Sequence, residues 1–310
     1  MSRPIAGSVC RIRLGQFCFA LLAVSVPLAL FAYSSKRSPT RVQFLGEPTL
    51  VAPGVISSEF SEIRAAHSPD GTLMLWGSTN RPGGPGAWDI WLSRRSGASW
   101  SAPEAVPFNS NANDFDPAFS PDGRFVYFFS NRTGSLGGDD IYRVSLNAGT
   151  FGAVEHLGTE INSAGDEWAP ALSPDGTTLL FATNGRGGAG RHDLFVARAA
   201  ADKWSEATPL PGAINTAADE FDATFLTDGK TIVFTRSANL DGDEPITLNV
   251  AIRSASGQEI GTPLPFIGNF QYSLGPALDW QNRAVLYFSA AAKESKTPRA
   301  DVYEIRYRLR

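Results

Sequence analysis

One turn sequence returns five times at an almost constant interval, and this constrains the fold of the chain more than any other feature. Ser68-Pro69-Asp70-Gly71 recurs as Ser120-Pro121-Asp122-Gly123 and Ser173-Pro174-Asp175-Gly176, weakens to Leu226-Thr227-Asp228-Gly229, and ends as Asp279-Trp280-Gln281-Asn282. The third positions are separated by 52, 53, 53 and 53 residues. Other landmarks keep the same step. Asp89-Ile90, Asp140-Ile141, Asp193-Leu194, Thr247-Leu248 and Asp301-Val302 each open an apolar run, and Phe44, Trp100, Phe151 and Trp204 each stand six residues before an apolar residue. In the third copy the pattern predicts strands at 168–172, 178–182, 194–198 and 204–210. These runs are β-branched or aromatic and bounded by Gly, Pro, Asn and Asp. Pro-Asp-Gly between the first two is a tight turn, because Pro presets φ and Gly accepts positive φ.

Four strands every fifty or so residues is the pattern of a propeller blade, whose two faces are buried only by stacking on neighbours. The expected fold is all-β, a five-bladed β-propeller of four-stranded antiparallel blades. The repeat region opens with a strand of the fourth type near Val42–Val51 and closes with one of the third type at Asp301–Arg308. The first strand therefore completes the last blade and leaves no bare edge there. Six blades is the alternative count, and it requires a copy of the repeat that the sequence does not display.

The first 35 residues differ in kind. Arg3, Arg11 and Arg13 precede an apolar run from Phe17 to Tyr33, and no acid falls among them. This reads as a secretion signal, with an uncleaved membrane anchor as the alternative. Residues 36–41 are then a linker and 42–310 a single domain, placed outside the cytoplasm in either case. The formal net charge of −4 becomes −7 once those three arginines are removed. Such an acidic surface repels phosphate backbones, which excludes nucleic acid as a partner. Cys10 and Cys18, the only cysteines, both lie in the leading segment, so the domain has neither disulfide nor thiol chemistry.

The run Asp166-Glu167-Trp168-Ala169-Pro170-Ala171-Leu172-Ser173-Pro174-Asp175-Gly176, followed by Leu180-Phe181-Ala182-Thr183-Asn184 and Asp193-Leu194-Phe195, resembles the WD-like repeat of TolB-type periplasmic propellers. Asp114 to Tyr142 carries the same resemblance, including Ser130-Asn131-Arg132 and Gly137-Gly138-Asp139-Asp140-Ile141-Tyr142. The resemblance covers residues 42–310 and is weakest in the fifth copy, where Trp280-Gln281-Asn282 replaces Pro-Asp-Gly. It implies a propeller fold, a periplasmic or extracellular location, and a role as a binding scaffold of the cell envelope.

Acidic residues recur at the start of each repeat. Glu62, Asp114, Glu167 and Glu220 stand eight residues before the turn aspartate, with Ser273 in the fifth copy. They open the strand expected to line the central channel, with Asp116 and Asp222 two positions further on. Unpaired like charges on adjacent blades repel by about 0.4 kcal/mol at ~10 Å in water. Such a ring needs cations, and Arg81, Arg132, Arg186 and Arg236 fall just after the second strands. Two readings follow: an arginine–carboxylate latch between strands, or a ligand site at the channel mouth formed by these acids and arginines. The turn aspartates are expected to cap their own turns, and Asp89, Asp140, Asp193 and Asp301 to fix loops to backbone amides.

The oxygen-rich loop at Asn239, Asp241 and Asp243 is a weak candidate for a divalent cation such as calcium, though it lacks a twelve-residue calcium-loop pattern. No other cofactor is expected. His67 occupies a slot that holds Phe119, Leu172, Phe225 and Leu278 in the other copies, so it reads as a core residue, with general-base chemistry as the alternative. Trp88 lies in a Gly- and Pro-rich loop and is a candidate platform for a sugar ring. No nucleophile elbow or phosphate loop is present. The sequence thus points to a monomeric exported scaffold for an envelope protein or glycan, with no catalytic residues assigned. The alternative is a glycan-acting enzyme that uses Glu62, Asp114, Glu167 and Glu220 as acid and base.

Overall fold

A computed structural model of the chain describes residues 42–200, 203–211, 214–240, 242–252, 262–265, 267–294 and 299–310. The leading segment and linker expected over 1–41 lie outside them. The described residues form five small antiparallel sheets arranged as a five-bladed propeller. A 3-10 turn at Ile267–Asn269 is the one helical element among them, and no helix there is long and apolar enough to cross a membrane.

Each blade runs from the axis outward. Blade 1 comprises Ser61–His67, Leu73–Thr79, Trp88–Ser96 and an outer strand in two pieces, Ser99–Trp100 and Glu104–Ala105. Blade 2 comprises Asp114–Phe119, Phe125–Ser130, Asp140–Asn147 and Thr150–His156. Blade 3 comprises Glu167–Leu172, Thr178–Thr183, Asp193–Ala200, and the pieces Lys203–Trp204 and Thr208–Pro209. Blade 4 comprises Asp219–Phe225, Thr231–Ser237, Thr247–Ile252 and Thr262–Pro263. Blade 5 comprises Phe270–Leu278, Val285–Ala292, Asp301–Leu309 and, from the start of the domain, Val42–Leu50. The last pairing is antiparallel, Val42 opposite Leu309 and Leu50 opposite Tyr303, so the ring closes with the strand exchange expected from the repeat.

The unbroken outer strand expected at 204–210 is split. Ser205 keeps its N–H on the Arg198 carbonyl at 2.8 Å, but its hydroxyl accepts the N–H of Arg198 at 3.0 Å in place of a backbone carbonyl. Ser101 does the same for Arg94 in blade 1, again at 3.0 Å. A side chain that mimics the ladder allows a short interruption at the rim without an orphaned donor.

The core lies between blades. Second-strand residues such as Leu75, Phe128, Phe181, Phe234 and Phe288 are fully buried against their neighbours. The turns add a ring at one end of the axis. Asp175 accepts from the Ser173 hydroxyl at 2.6 Å and from the Thr177 N–H at 3.0 Å, bonds that hold its carboxyl below the usual range. The turn glycines Gly71, Gly123, Gly176 and Gly229 have positive φ, and the last three face the proline of the preceding blade's turn. A methyl group added at Gly123, Gly176 or Gly229 would lie 3.5–3.9 Å from Pro69, Pro121 or Pro174.

Candidate functional site

The inner strands are neighbours in the order of blades 1 to 5 and back to 1, so they line the axis. Chain direction fixes which end is which. Inner strands start, and second-to-third-strand loops lie, at one end, here called the mouth; the Pro-Asp-Gly turns lie at the other.

Glu62, Asp114, Glu167 and Glu220 sit at the mouth as expected, and all four are fully buried. Each is gripped by a hydroxyl residue four positions earlier. Ser58 donates its N–H to Glu62 at 3.1 Å and its hydroxyl at 2.5 Å; Ser163 does so to Glu167 at 2.8 and 2.5 Å; Thr216 does so to Glu220 at 2.8 and 2.6 Å. Ser110 holds Asp114 in the same way. Three carboxylates also face arginines at or just past the ends of the second strands: Arg81 at 3.6 Å from Glu62, Arg236 at 2.7 Å from Glu220, and Arg132 against Asp114. Blade 3 differs. Glu167 takes the Thr183 hydroxyl at 2.6 Å, while Arg186 donates to the carbonyls of Thr159, Ile161 and Asn162. Burial pushes Glu62 up to about 7 against the Ser58 bonds and the Arg81 charge, and raises Glu167 and Glu220 by the same cause.

The backbones of these residues staple the blades together. The N–H groups of Glu62, Glu167, Glu220 and Ser273 donate to the carbonyls of Ala300, Asp139, His192 and Ile246 in the preceding blade, at 2.6–3.0 Å. The geometry supports a difference between arginines. Arg236→Met strands the buried Glu220 without its cation and should lower stability by about 3 kcal/mol. Arg186→Met removes hydrogen bonds to carbonyls and strands no buried carboxylate, and should cost about 1.5 kcal/mol. Urea unfolding of the two variants checks the contrast.

Two residues further along each inner strand lies a feature with no signal in residue type. Arg64, Asp116, Ala169, Asp222 and Gly275 occupy equivalent positions, and all five have positive φ, from 44° to 60°. The register shifts at this point in every blade. Each inner strand therefore carries a bulge whose first residue is left-handed, a conformation that costs a non-glycine residue about 1 kcal/mol. Pro117, Pro170 and Pro276 follow directly, where the broken ladder needs no N–H.

The freed backbone groups converge on one side chain. Arg64 crosses the axis, and its guanidinium donates to the carbonyls of Ala169 at 3.3 Å, Pro170 at 3.0 Å, Ala223 at 3.3 Å and Pro276 at 3.4 Å, in blades 3, 4 and 5. Asp222 accepts the N–H of Gly275 at 3.1 Å, and its charge acts on Asp116. Asp116 and Asp222, expected as mouth ligands, thus lie within the axis beside Arg64, which sequence reasoning did not single out. Beyond this group Ala66, Ala118, Ala171, Thr224 and Ala277 form a ring of small residues lining a narrow pocket toward the turn end. The charged group separates that pocket from the mouth.

Around the mouth an aromatic arc links blades 1 to 3. Trp88 lies 5.1 Å from Phe115, Phe115 6.1 Å from Phe129, Phe129 6.5 Å from Trp168, and Trp168 stacks on His192 at 4.1 Å between ring centroids. Trp168 donates its indole N–H to Asp139 at 2.8 Å, and burial pushes Asp139 up to about 6. Trp88 is 40% exposed and Leu136, on the next blade's loop, 50% exposed. Of this arc only Trp88 was singled out from sequence. Aligning the residue before each third-strand aspartate (Trp88, Asp139, His192) is the signal that locates the rest.

The other expected residues fall as follows. Asp89 and Asp193 accept loop N–H groups from Gly86 and Gly190, and Asp140 from Leu136, whereas Asp301 lies 3.8 Å from Arg299. The Asn239 carbonyl oxygen of the side chain accepts from Arg191 at 3.2 Å, Asp243 is exposed, and Asp241 lies outside the described residues. Among the described residues no three His, Cys, Asp or Glu side chains are grouped to hold a metal ion.

No family model matches the chain. A stretch of 65 residues is 38% identical to the uncharacterized protein Atu1656 of Agrobacterium fabrum, covering 21% of this chain and about a fifth (19%) of that protein. TolB from Acinetobacter baumannii is similar with a TM-score of 0.50 and 15% identity, over 88% of this chain and 65% of its own. BT0996, solved as an RGII complex, is similar with a TM-score of 0.54 and 11% identity, over 84% of this chain and 90% of its own. At these identities the likeness concerns the fold alone, a β-propeller similar to that of TolB.

Proposed function

We propose that this propeller is an exported binding module of the cell envelope that holds a protein or glycan through its mouth loops. The observation that carries the reading is the pairing of two facts at one end of the molecule. Exposed apolar side chains, Trp88 and Leu136, stand on adjacent blades, while the carboxylates nearest the axis are buried with serine, threonine and arginine donors on their oxygens. An acid or base that acts on a substrate must reach it; a scaffold needs its exposed loops. The basic, apolar leading segment supports export.

The second reading, a glycan-acting enzyme, draws on Glu62, whose carboxyl at about 7 has the proton affinity of a general acid. Full burial and the Ser58 grip argue against its contact with substrate.

Photo-crosslinking in the producing cell tests the proposal. A crosslinker at Leu136 is expected to trap a defined envelope component, and one at Gln281, at the turn end, is not. Equal labelling at both ends would count against the mouth.

A further inference from the structure

We infer that the propeller axis is closed by a plug that holds one proton at neutral pH, shared between Asp116 and Asp222 and balanced by the single charge of Arg64. Two carboxylates confined to one buried site cannot both ionise against a single cation. Asp116 and Asp222 stand on blades 2 and 4 at the positions equivalent to Arg64, whose guanidinium bridges the axis. Both side chains and Arg64 are buried. With one proton the group carries one positive and one negative charge; without it, an uncompensated negative charge sits in the centre of the protein, where it is most costly.

Every strand packed around the pair adds to this balance. Blade 1 supplies Arg64, the cation. Blade 2 supplies Asp116 and, near the start of its third strand, the acid Asp139. Blade 3 supplies only the carbonyls of Ala169 and Pro170, already taken by Arg64. Blade 4 supplies Asp222, and blade 5 the Gly275 N–H, which donates to Asp222. Arg64 is thus the one cation facing two carboxylates. One oxygen of Asp116 is buried without a hydrogen-bond partner, as expected of the neutral member of the pair rather than of an ionised group. Burial, followed by the charge of Asp222, raises Asp116 well above the usual carboxylate range, and Asp222 is raised by burial despite Arg64.

The sign follows from linkage. A carboxyl whose folded-state pKa is raised contributes stability below its unfolded pKa, near 3.9, and loses it as pH rises through the folded pKa. Aspartate to asparagine at 116 keeps a donor for Asp222 and removes the proton. Melting temperatures of the full chain and of Asp116→Asn are compared from pH 5 to pH 9, so that all other titrating groups cancel in the difference. The variant is expected to gain on the native protein by about 3 °C per pH unit until the pair has lost its proton. The double change Asp116→Asn with Asp222→Asn leaves Arg64 without a counter-charge and is expected to melt below the native protein throughout. Infrared difference spectra, native minus Asp222→Asn, cancel the band of Glu62, which is itself partly protonated at pH 7: a protonated-carboxyl band is expected in the difference at pH 7 even if Asp116→Asn fails to fold. No such band in the difference, or a melting difference that does not change with pH, would overturn the inference.

Discussion

A chain that begins at Val51 is expected to lose most of its cooperative stability relative to one that begins at Val42. Nine residues are removed, but they are the outer strand of blade 5. Val42 and Phe44 pack against the cluster of Leu286, Phe288, Ile305 and Tyr307, and the ladder pairs Val42–Leu45 and Thr49–Leu50 with the third strand on either side of a register shift. Without it the third strand of blade 5 becomes an open edge, and the antiparallel contact tying the start of the domain to its end is reduced to the short segment that follows. There Val51 donates to Val302 at 2.9 Å, and the Ser57 hydroxyl donates to the same carbonyl at 3.0 Å. Domains of this kind hold about 5–15 kcal/mol in total, so the loss of one closing strand should consume most of it and expose an edge prone to pairing with other chains. Urea unfolding measures the loss, and a synthetic peptide of residues 42–50 added in trans should restore part of the midpoint. An unchanged midpoint in the shorter chain would mean that the ring does not depend on this closure.

The second large effect concerns the same seam from the inside. His67→Phe is expected to destabilise by about 3 kcal/mol, although phenylalanine is what the equivalent slots of blades 2 and 4 hold. The reason is its partner. His67 Nδ1 lies 3.1 Å from Asp279, which also accepts from the Tyr287 hydroxyl at 3.0 Å, and both residues are buried. Burial works against the charge on Asp279, but the bond and charge of His67 hold its carboxyl below the usual range. Aspartate stands here where the first three copies have serine. Two departures from the repeat therefore compensate for each other across the junction of blades 5 and 1. Removing one strands the other in the interior, whereas His67→Phe with Asp279→Ser returns both positions to the repeat pattern. The double variant is expected within about 1 kcal/mol of the native protein, a coupling of about 2–3 kcal/mol. Additive losses in the cycle would show that the two residues act separately.

The blade count and the strand exchange at closure were legible because they depend on periodic turn chemistry and on hydrophobic alternation, which sequence displays directly. The bulge at Arg64, Asp116, Ala169, Asp222 and Gly275 was not, because different residue types share it; the backbone geometry is imposed by inner strands crowding the axis, and only glycine advertises it. For the same reason Asp116 and Asp222 read as mouth ligands. Their proximity to each other spans three blades, and no sequence spacing encodes the diameter of the ring. His67 was visible as an exception to its slot. What it pairs with was not, since Asp279 had registered only as a weakened turn. The carboxylates and arginines at the mouth were legible as a set, while Ser58, Ser110, Ser163 and Thr216, which complete their shells, keep the same period but lie in loops outside the strand and turn pattern that was followed.

The most direct test of the account is a thermal-shift titration of the full chain with glycans, peptidoglycan fragments and divalent cations, run beside Trp88→Ala with Leu136→Ser and beside Glu220→Gln. A ligand at a hundred times its dissociation constant adds about 2.7 kcal/mol, a shift of several degrees. The account predicts a shift for a glycan or peptidoglycan fragment that the loop variant loses and that Glu220→Gln retains from a lower starting temperature. A shift kept by the loop variant and lost in Glu220→Gln would contradict it, placing the ligand on the carboxylates and favouring a glycan-acting enzyme.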